Sequence, residues 1–234
     1  MMEHLLKSED VMKRYMTKRV LDGVTFTLEK GKIYGLFGPN ASGKTTLMKI
    51  LAGLTQPSSG QVVIDGHAVG IASKRRVSYI PTANHLPKWM NVQQCIRYFE
   101  DFYDDFDANK AEMMIVAMGL SGKQKISTLS TGMLGRLKLA LGLSRDVAIY
   151  MLDEPLNGLD AVSRDKIIEQ ILHACQEDCT FLISSHLINE LENTLDEVIF
   201  LDKGQITLAG NAEDLRQERK ISINDLYKEM FRDA

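Results

Sequence analysis

The 234-residue sequence predicts an α/β domain with a helical lobe set into it, and three observations carry that expectation. A short apolar run, Ile33–Phe37 (IYGLF), leads through GPNASGKTT into the helical pattern TTLMKILAGL, the strand–loop–helix order of a phosphate-binding βα unit. Over residues 91–145, helical patterns (CIRYFEDFY, KAEMMIVAMGL, GRLKLALGL) succeed one another with no strand between them. From residue 148 onward, strand and helix alternate again.

The elements follow in order. Residues 24–28 (VTFTL) alternate apolar and polar, as a strand with one buried face does, and Lys30-Gly31 makes the turn that follows. QVVID (61–65) and VSYI (77–80) read as further strands. After the helical stretch come a strand at 148–152, a helix at 161–176, a strand at 180–184 and a helix starting at His186. A hairpin, VIFLD and QITLAG, closes around Lys203-Gly204, and a pair of short helices follows from Asn211. The expected organisation is one domain: a core of residues 1–82 and 147–210, an inserted helical subdomain of 83–146, and a helical tail of 211–234.

With 44% hydrophobic and 25% charged residues, the composition is that of an ordinary soluble globular protein. A formal charge of −3 gives no reason to expect nucleic acid as a partner. No apolar run approaches the roughly 18–20 residues of a membrane span, and charge within the first residues argues against a secretory signal. Cys95, Cys175 and Cys179 form no disulfide framework, which suits a reducing cytoplasm. Cys175 and Cys179 lack a second Cys/His pair and read as structural cysteines rather than metal ligands.

Residues 38–45 (GPNASGKT) match G-x-x-x-x-G-K-[ST] in full. Polyphosphate carries several negative charges, and the consecutive N–H groups of a Gly-rich turn, backed by a helix N-terminus, surround it without a Cβ intruding. Gly38, Pro39, Asn40, Ala41, Ser42, Gly43, Lys44, Thr45 and Thr46 are therefore the expected ATP-binding segment. In it Lys44 reaches the β- and γ-phosphates, and the Thr45 hydroxyl ligates Mg²⁺. Residues 148–154 (AIYMLDE) end a buried strand in two acids. Asp153 is expected to organise Mg²⁺, and Glu154, on the opposite pleat, to face the attacking water as general base.

Between and beyond these sites lie LSTGM (129–133), NGLD (157–160) and SSH (184–186). With the phosphate loop and MLDEP, this ordered set resembles the ATP-binding subunits of ABC transporters, over about residues 15–210. The likeness leans toward bacterial drug- and peptide-export ATPases. It implies a P-loop NTPase core of ABC type, with a mixed sheet and flanking helices.

It also implies roles for individual residues. Tyr15 stacks on adenine, or is a surface tyrosine at a strand turn. Ser130 and Gly132 contact the γ-phosphate held by a second ATP-binding subunit, in a homodimer or heterodimer. Asp160 sits at the dimer seam, or caps the next helix. His186 contacts the γ-phosphate and holds water with Glu154, or merely begins a helix. The implied activity is Mg-dependent ATP hydrolysis, catalysed through Glu154, His186 and Lys44 and coupled to a separate transmembrane permease, with the chain peripheral on the inner membrane face. A soluble ABC-type ATPase of another machine and a nucleotide-sensing regulatory subunit are the competing readings.

The sequence departs from the family pattern at three places. Ala41 stands where the loop usually has glycine. Thr131 and Met133 replace the first glycine and the final glutamine of L-S-G-G-Q. After VSYI, Pro81-Thr82 replaces Pro-Gln, whose glutamine reaches Mg²⁺ in relatives; threonine is too short, and Asn84 is either a substitute or a turn residue. Trp89, in NHLPKWM, is either a docking surface for a partner helix or core.

Overall fold

The computed structural model describes residues 4–175 and 179–232. In chain order the strands and helices are β1 (Leu6–Tyr15), β2 (Lys18–Leu28), β3 (Ile33–Phe37), α1 (Lys44–Leu51), β4 (Ser59–Ile64), β5 (His67–Ala68), α2 (Ile71–Lys74), β6 (Val77–Ile80), α3 (Val92–Phe102), α4 (Ala108–Ala117), α5 (Thr131–Leu143), β7 (Ile149–Asp153), α6 (Ala161–Cys175), β8 (Thr180–Ser185), α7 (Ile188–Leu191), β9 (Glu197–Asp202), β10 (Gln205–Asn211), α8 (Ala212–Arg219) and α9 (Ile223–Met230).

Two sheets organise them. Six strands run in the order β10-β9-β3-β8-β7-β6, all parallel except β10. Four antiparallel strands, β2-β1-β4-β5, form the second sheet. The central strands β3, β7 and β8 are buried throughout, as continuous apolar runs in a parallel sheet must be. Helix α1 shares one apolar cluster with strands of both sheets, and its Leu47, Met48, Ile50 and Leu51 are fully buried. Each such side chain contributes about 1.5–3 kcal/mol, so the helix that follows the phosphate loop is anchored by its own packing. A second cluster joins the other face of the six-stranded sheet to α3, α4, α5, α6, α7 and α9.

The register of the parallel strands sets the site. Phe37 pairs with Ser185 and Phe200, and Asp153 with Ser184. The carboxyl ends of β3, β7 and β8 therefore lie level, and the loops leaving them converge at the edge where α/β sheets bind ligands.

Some expectations need correction. Sequence patterning did not find β1 or β5. The helix expected from His186 starts instead at Ile188 and is a single turn; Ser185 Oγ accepts from Leu187 N just before it, at 2.9 Å. Glu154 does not continue the pleat of β7, because its backbone is left-handed (φ 52°). Cys95 is buried, while the Cys175 side chain lies outside the described residues. Among the described residues no helix is long and apolar enough to cross a membrane.

Candidate functional site

The phosphate loop is built so that its amides line a cradle. A Cβ on Gly38 would lie 2.0 Å from the Leu201 carbonyl oxygen, so only glycine lets β3 leave the sheet this close to β9. Gly43 has φ 114° and caps α1; a side chain there would meet Leu21 Cδ2 at 2.8 Å. The hairpin turn after β9 supports the loop from below, with Gly204 N donating to Ser42 O at 2.9 Å.

Ala41 also has positive φ, 64°, a backbone that costs a residue with a Cβ roughly 1–2 kcal/mol. The departure from glycine at this position is thus accommodated at the expense of strain.

Lys44 is buried, and its Nζ donates to Gly38 O at 2.7 Å and Pro39 O at 3.1 Å. Burial depresses its pKa, opposed by the charges of Glu154 and Asp153. The Ser42 hydroxyl is buried and has no hydrogen-bond partner. A buried hydroxyl left without a partner is expensive unless a ligand oxygen meets it, and a phosphate oxygen would supply such an acceptor.

Opposite the loop stands Asp153. Its Oδ1 accepts from Thr45 Oγ1 at 3.1 Å and from Ser184 Oγ at 2.8 Å, and its Oδ2 accepts from Tyr79 OH at 3.1 Å. Thr45 and Asp153, 108 residues apart in sequence, thus present two hard oxygens at one point, the donor type Mg²⁺ takes. Among the described residues no three His, Cys, Asp or Glu side chains gather at one point, so phosphate oxygens and water would supply most of a cation's shell here. Thr82 donates to the backbone carbonyl of Asp153 at 2.7 Å, and Asn84 Oδ1 accepts from Leu86 N at 2.9 Å, as a turn residue does.

Beyond Asp153 the chain turns sharply. Glu154 N donates to Ser184 O and to Ser184 Oγ, and its left-handed backbone swings the carboxylate toward His186. Glu154 Oε2 lies 2.8 Å from His186 Nδ1. Lys44, Thr45, Thr46, Glu154 and His186 all line one cleft of about 710 Å³ with Asn40, Ala41, Ser42 and Gly43.

Tyr15, Gly38, Pro39, Ser130, Gly132 and Asp153 do not line that cleft; Asp153 lines a small pocket that shares Glu154 and Asn157 with it. Tyr15 is half-exposed at the end of β1 and opposite Lys18, a cleft residue, with the Lys13 ammonium 5.0 Å from its ring centroid. Ser130 caps α5, accepting from Met133 N at 3.3 Å. Gly132 packs beside Ser163 and Asp160. Asp160 accepts from Ser163 N at 2.9 Å and Ser163 Oγ at 2.8 Å, so its carboxylate caps α6.

The cleft also gathers Lys18, Arg19, Asn157 and Lys203, none expected as site residues. Lys203 was legible only as a turn residue, and the register that brings it beside the loop is set by the β9–β10 hairpin.

The family profile of ABC transporters matches residues 21–157, more than half of the chain. The chain belongs to the ABC transporter family. With that membership go ATP binding and hydrolysis, and the P-loop NTPase fold of ABC type.

The ABC chain is 31% identical to the lantibiotic transport ATP-binding protein SrtF of Streptococcus pyogenes, over 87% of this chain and 90% of that one. It is 32% identical to a Nod factor export ATP-binding protein I of Burkholderia lata, over 84% and 67%. Among solved structures, an ATP-binding subunit of an ABC transporter superposes with a TM-score of 0.88 at 24% identity, covering 97% of the ABC chain and 99% of its own. A dimeric ATP-binding cassette bound to ADP and phosphate superposes at 0.80 with 20% identity, covering 88% and 98%.

Proposed function

We propose that this chain is the Mg-dependent ATPase subunit of an ABC exporter, working as a head-to-tail pair and docked on a separate membrane permease. The observation that carries the reading is the cleft that Lys44, Thr45, Glu154 and His186 share, with Asp153 held at its edge by the Thr45 hydroxyl and the Glu154 carboxylate paired with His186.

The loop amides, Ser42 and Lys44 bind the phosphates. Lys44 exchanges the carbonyls of Gly38 and Pro39 for phosphate oxygens. Thr45 and Asp153 would hold Mg²⁺, and the ion would supply Lewis-acid stabilisation of negative charge on the phosphates. Glu154 accepts a proton from the attacking water, and His186 fixes the direction of its carboxylate. Catalysis on this account is positioning and electrostatics.

Ser130 and Gly132 lie outside the chain's own cleft, which suits contact with nucleotide held by a second ATP-binding subunit through the N-terminus of α5. Tyr15 stands one strand-end from the cleft and stacks on adenine. For permease docking, the helical stretch within residues 83–146 offers exposed aromatics. Trp89 is 74% exposed, which removes the core-packing alternative, and Tyr98 and Phe102 lie 4.6 Å apart beside a mainly apolar groove of about 660 Å³. These features support peripheral residence on the inner membrane face through that partner.

Two measurements test this. Purified protein should release phosphate from ATP, and EDTA should stop it. The tagged chain should sediment with membranes and bring down a polytopic protein, less of it after Trp89→Ala. Activity without membrane recovery would leave a soluble ATPase, and no Mg-dependent turnover would remove the enzyme reading.

A further inference from the structure

Lys138, on α5, has its ammonium in an unusual place. Nζ donates to Pro81 O and to Thr82 O, each at 2.7 Å. These carbonyls belong to the segment that leaves β6, 56 and 57 residues earlier in the chain. From that same segment the Thr82 hydroxyl donates to the backbone carbonyl of Asp153 at 2.7 Å, while Tyr79 of β6 touches the Asp153 carboxylate. Lys138 also forms the wall between two cavities: the apolar groove beside Tyr98 and Phe102, and a small pocket lined by Asp153 and Glu154. Burial depresses its pKa, with the Asp153 charge opposing. A half-buried cation on two main-chain carbonyls fixes them more firmly than a neutral donor does.

We propose that Lys138 is a positioning residue for ATP hydrolysis: it clamps the Pro81–Thr82 main chain so that Thr82 holds the end of β7, and thereby ties α5 to the Asp153–Glu154 acids. Ser130 heads the same helix, about 12 Å away along its axis. Movement of α5 relative to the sheet therefore reaches the acids through two hydrogen bonds in series, Lys138 to the Thr82 carbonyl and the Thr82 hydroxyl to the Asp153 carbonyl, with the Pro81 carbonyl as a second anchor for Lys138. The inference rests on the ATPase reading above.

The test is steady-state Mg-ATP hydrolysis and nucleotide binding by the purified full chain, with Glu154→Gln as the control that the turnover belongs to this site. Lys138→Met keeps the stem and removes the donor. It should lower kcat about tenfold or more while nucleotide affinity stays within about twofold of wild type. Lys138→Arg, which can still reach both carbonyls, should retain more kcat than Lys138→Met. Thr82→Val breaks the next link and should lower kcat likewise. The double variant should be no slower than the slower single, because the two residues act in one chain of contacts. Wild-type kcat in Lys138→Met, or multiplicative losses in the double variant, would overturn the proposal. So would a parallel fall in kcat, affinity and Tm, which would mark Lys138 as packing alone. If Lys138→Met does not fold, wild-type kcat in Thr82→Val overturns it by itself. Turnover surviving in Glu154→Gln would instead defeat the underlying ATPase reading.

Discussion

Glu154 Oε2 receives two contacts from His186, the ring Nδ1 at 2.8 Å and the backbone N–H at 3.3 Å. The left-handed backbone of Glu154 and the end of β8, where Ser184 holds Glu154 N, create this pairing. It orients a carboxylate at the rim of the phosphate cleft, in the field of the Lys44 ammonium.

His186→Ala should therefore leave nucleotide affinity nearly unchanged and lower kcat by about 10²-fold, the scale of a misdirected general base. Steady-state kinetics alongside equilibrium binding separates the two. A loss confined to affinity would place His186 on the nucleotide and not on the base.

Ala41 gives a test of the loop's strain. Replacing it with glycine relieves roughly 1–2 kcal/mol of left-handed backbone and returns about 0.4–1 kcal/mol to the unfolded chain's freedom. The net effect is a Tm equal to wild type or a few degrees higher, about 2–4 °C per kcal/mol at this size. Ala41→Val should lower Tm, since β-branching worsens the same conformation. Differential scanning calorimetry of both variants checks the ordering.

Lys44 couples stability to pH. Its folded pKa is depressed below the usual 10.5, by burial first, so the unfolded chain binds the proton more tightly. Stability contributed by this residue rises as pH climbs through the folded pKa toward 10.5. The Tm of wild type relative to Lys44→Met should accordingly move in wild type's favour across that range. At neutral pH the variant should fold yet lose the stabilisation by Mg-ATP, about 2.7 kcal/mol for wild type at a hundredfold excess over Kd. A flat Tm difference with pH would contradict the buried-charge account.

Much of this was legible in the sequence, for identifiable reasons. β3 and α1 announce themselves because one is a wholly buried apolar run and the other places Leu47, Met48, Ile50 and Leu51 on its packed faces around a motif of fixed spacing. The acids were found because β7 is equally apolar up to Asp153.

β1 stayed hidden because, of its ten residues, only Leu6, Ser8 and Val11 are buried, among Lys, Glu and Asp, with Asp10 at φ 48° interrupting the alternation. Its identity as a strand comes from pairing with β2 and β4 on either side. The turn at Glu154 was equally hidden, since left-handed backbone at a glutamate follows from its bonds to Ser184, not from local propensity. Lys203 and Lys138 illustrate the same limit: the phosphate loop beside the one and the carbonyls bound by the other lie far away in sequence, and only the fold brings them near.

The most direct measurement uses Glu154→Gln. Purified variant and wild type are incubated with Mg-ATP, and phosphate release, nucleotide affinity and mass in solution are followed together. The account predicts that the variant binds Mg-ATP as tightly as wild type, releases almost no phosphate, and accumulates as an ATP-bound dimer. Wild-type phosphate release by the variant, or loss of nucleotide binding in place of turnover, would contradict it.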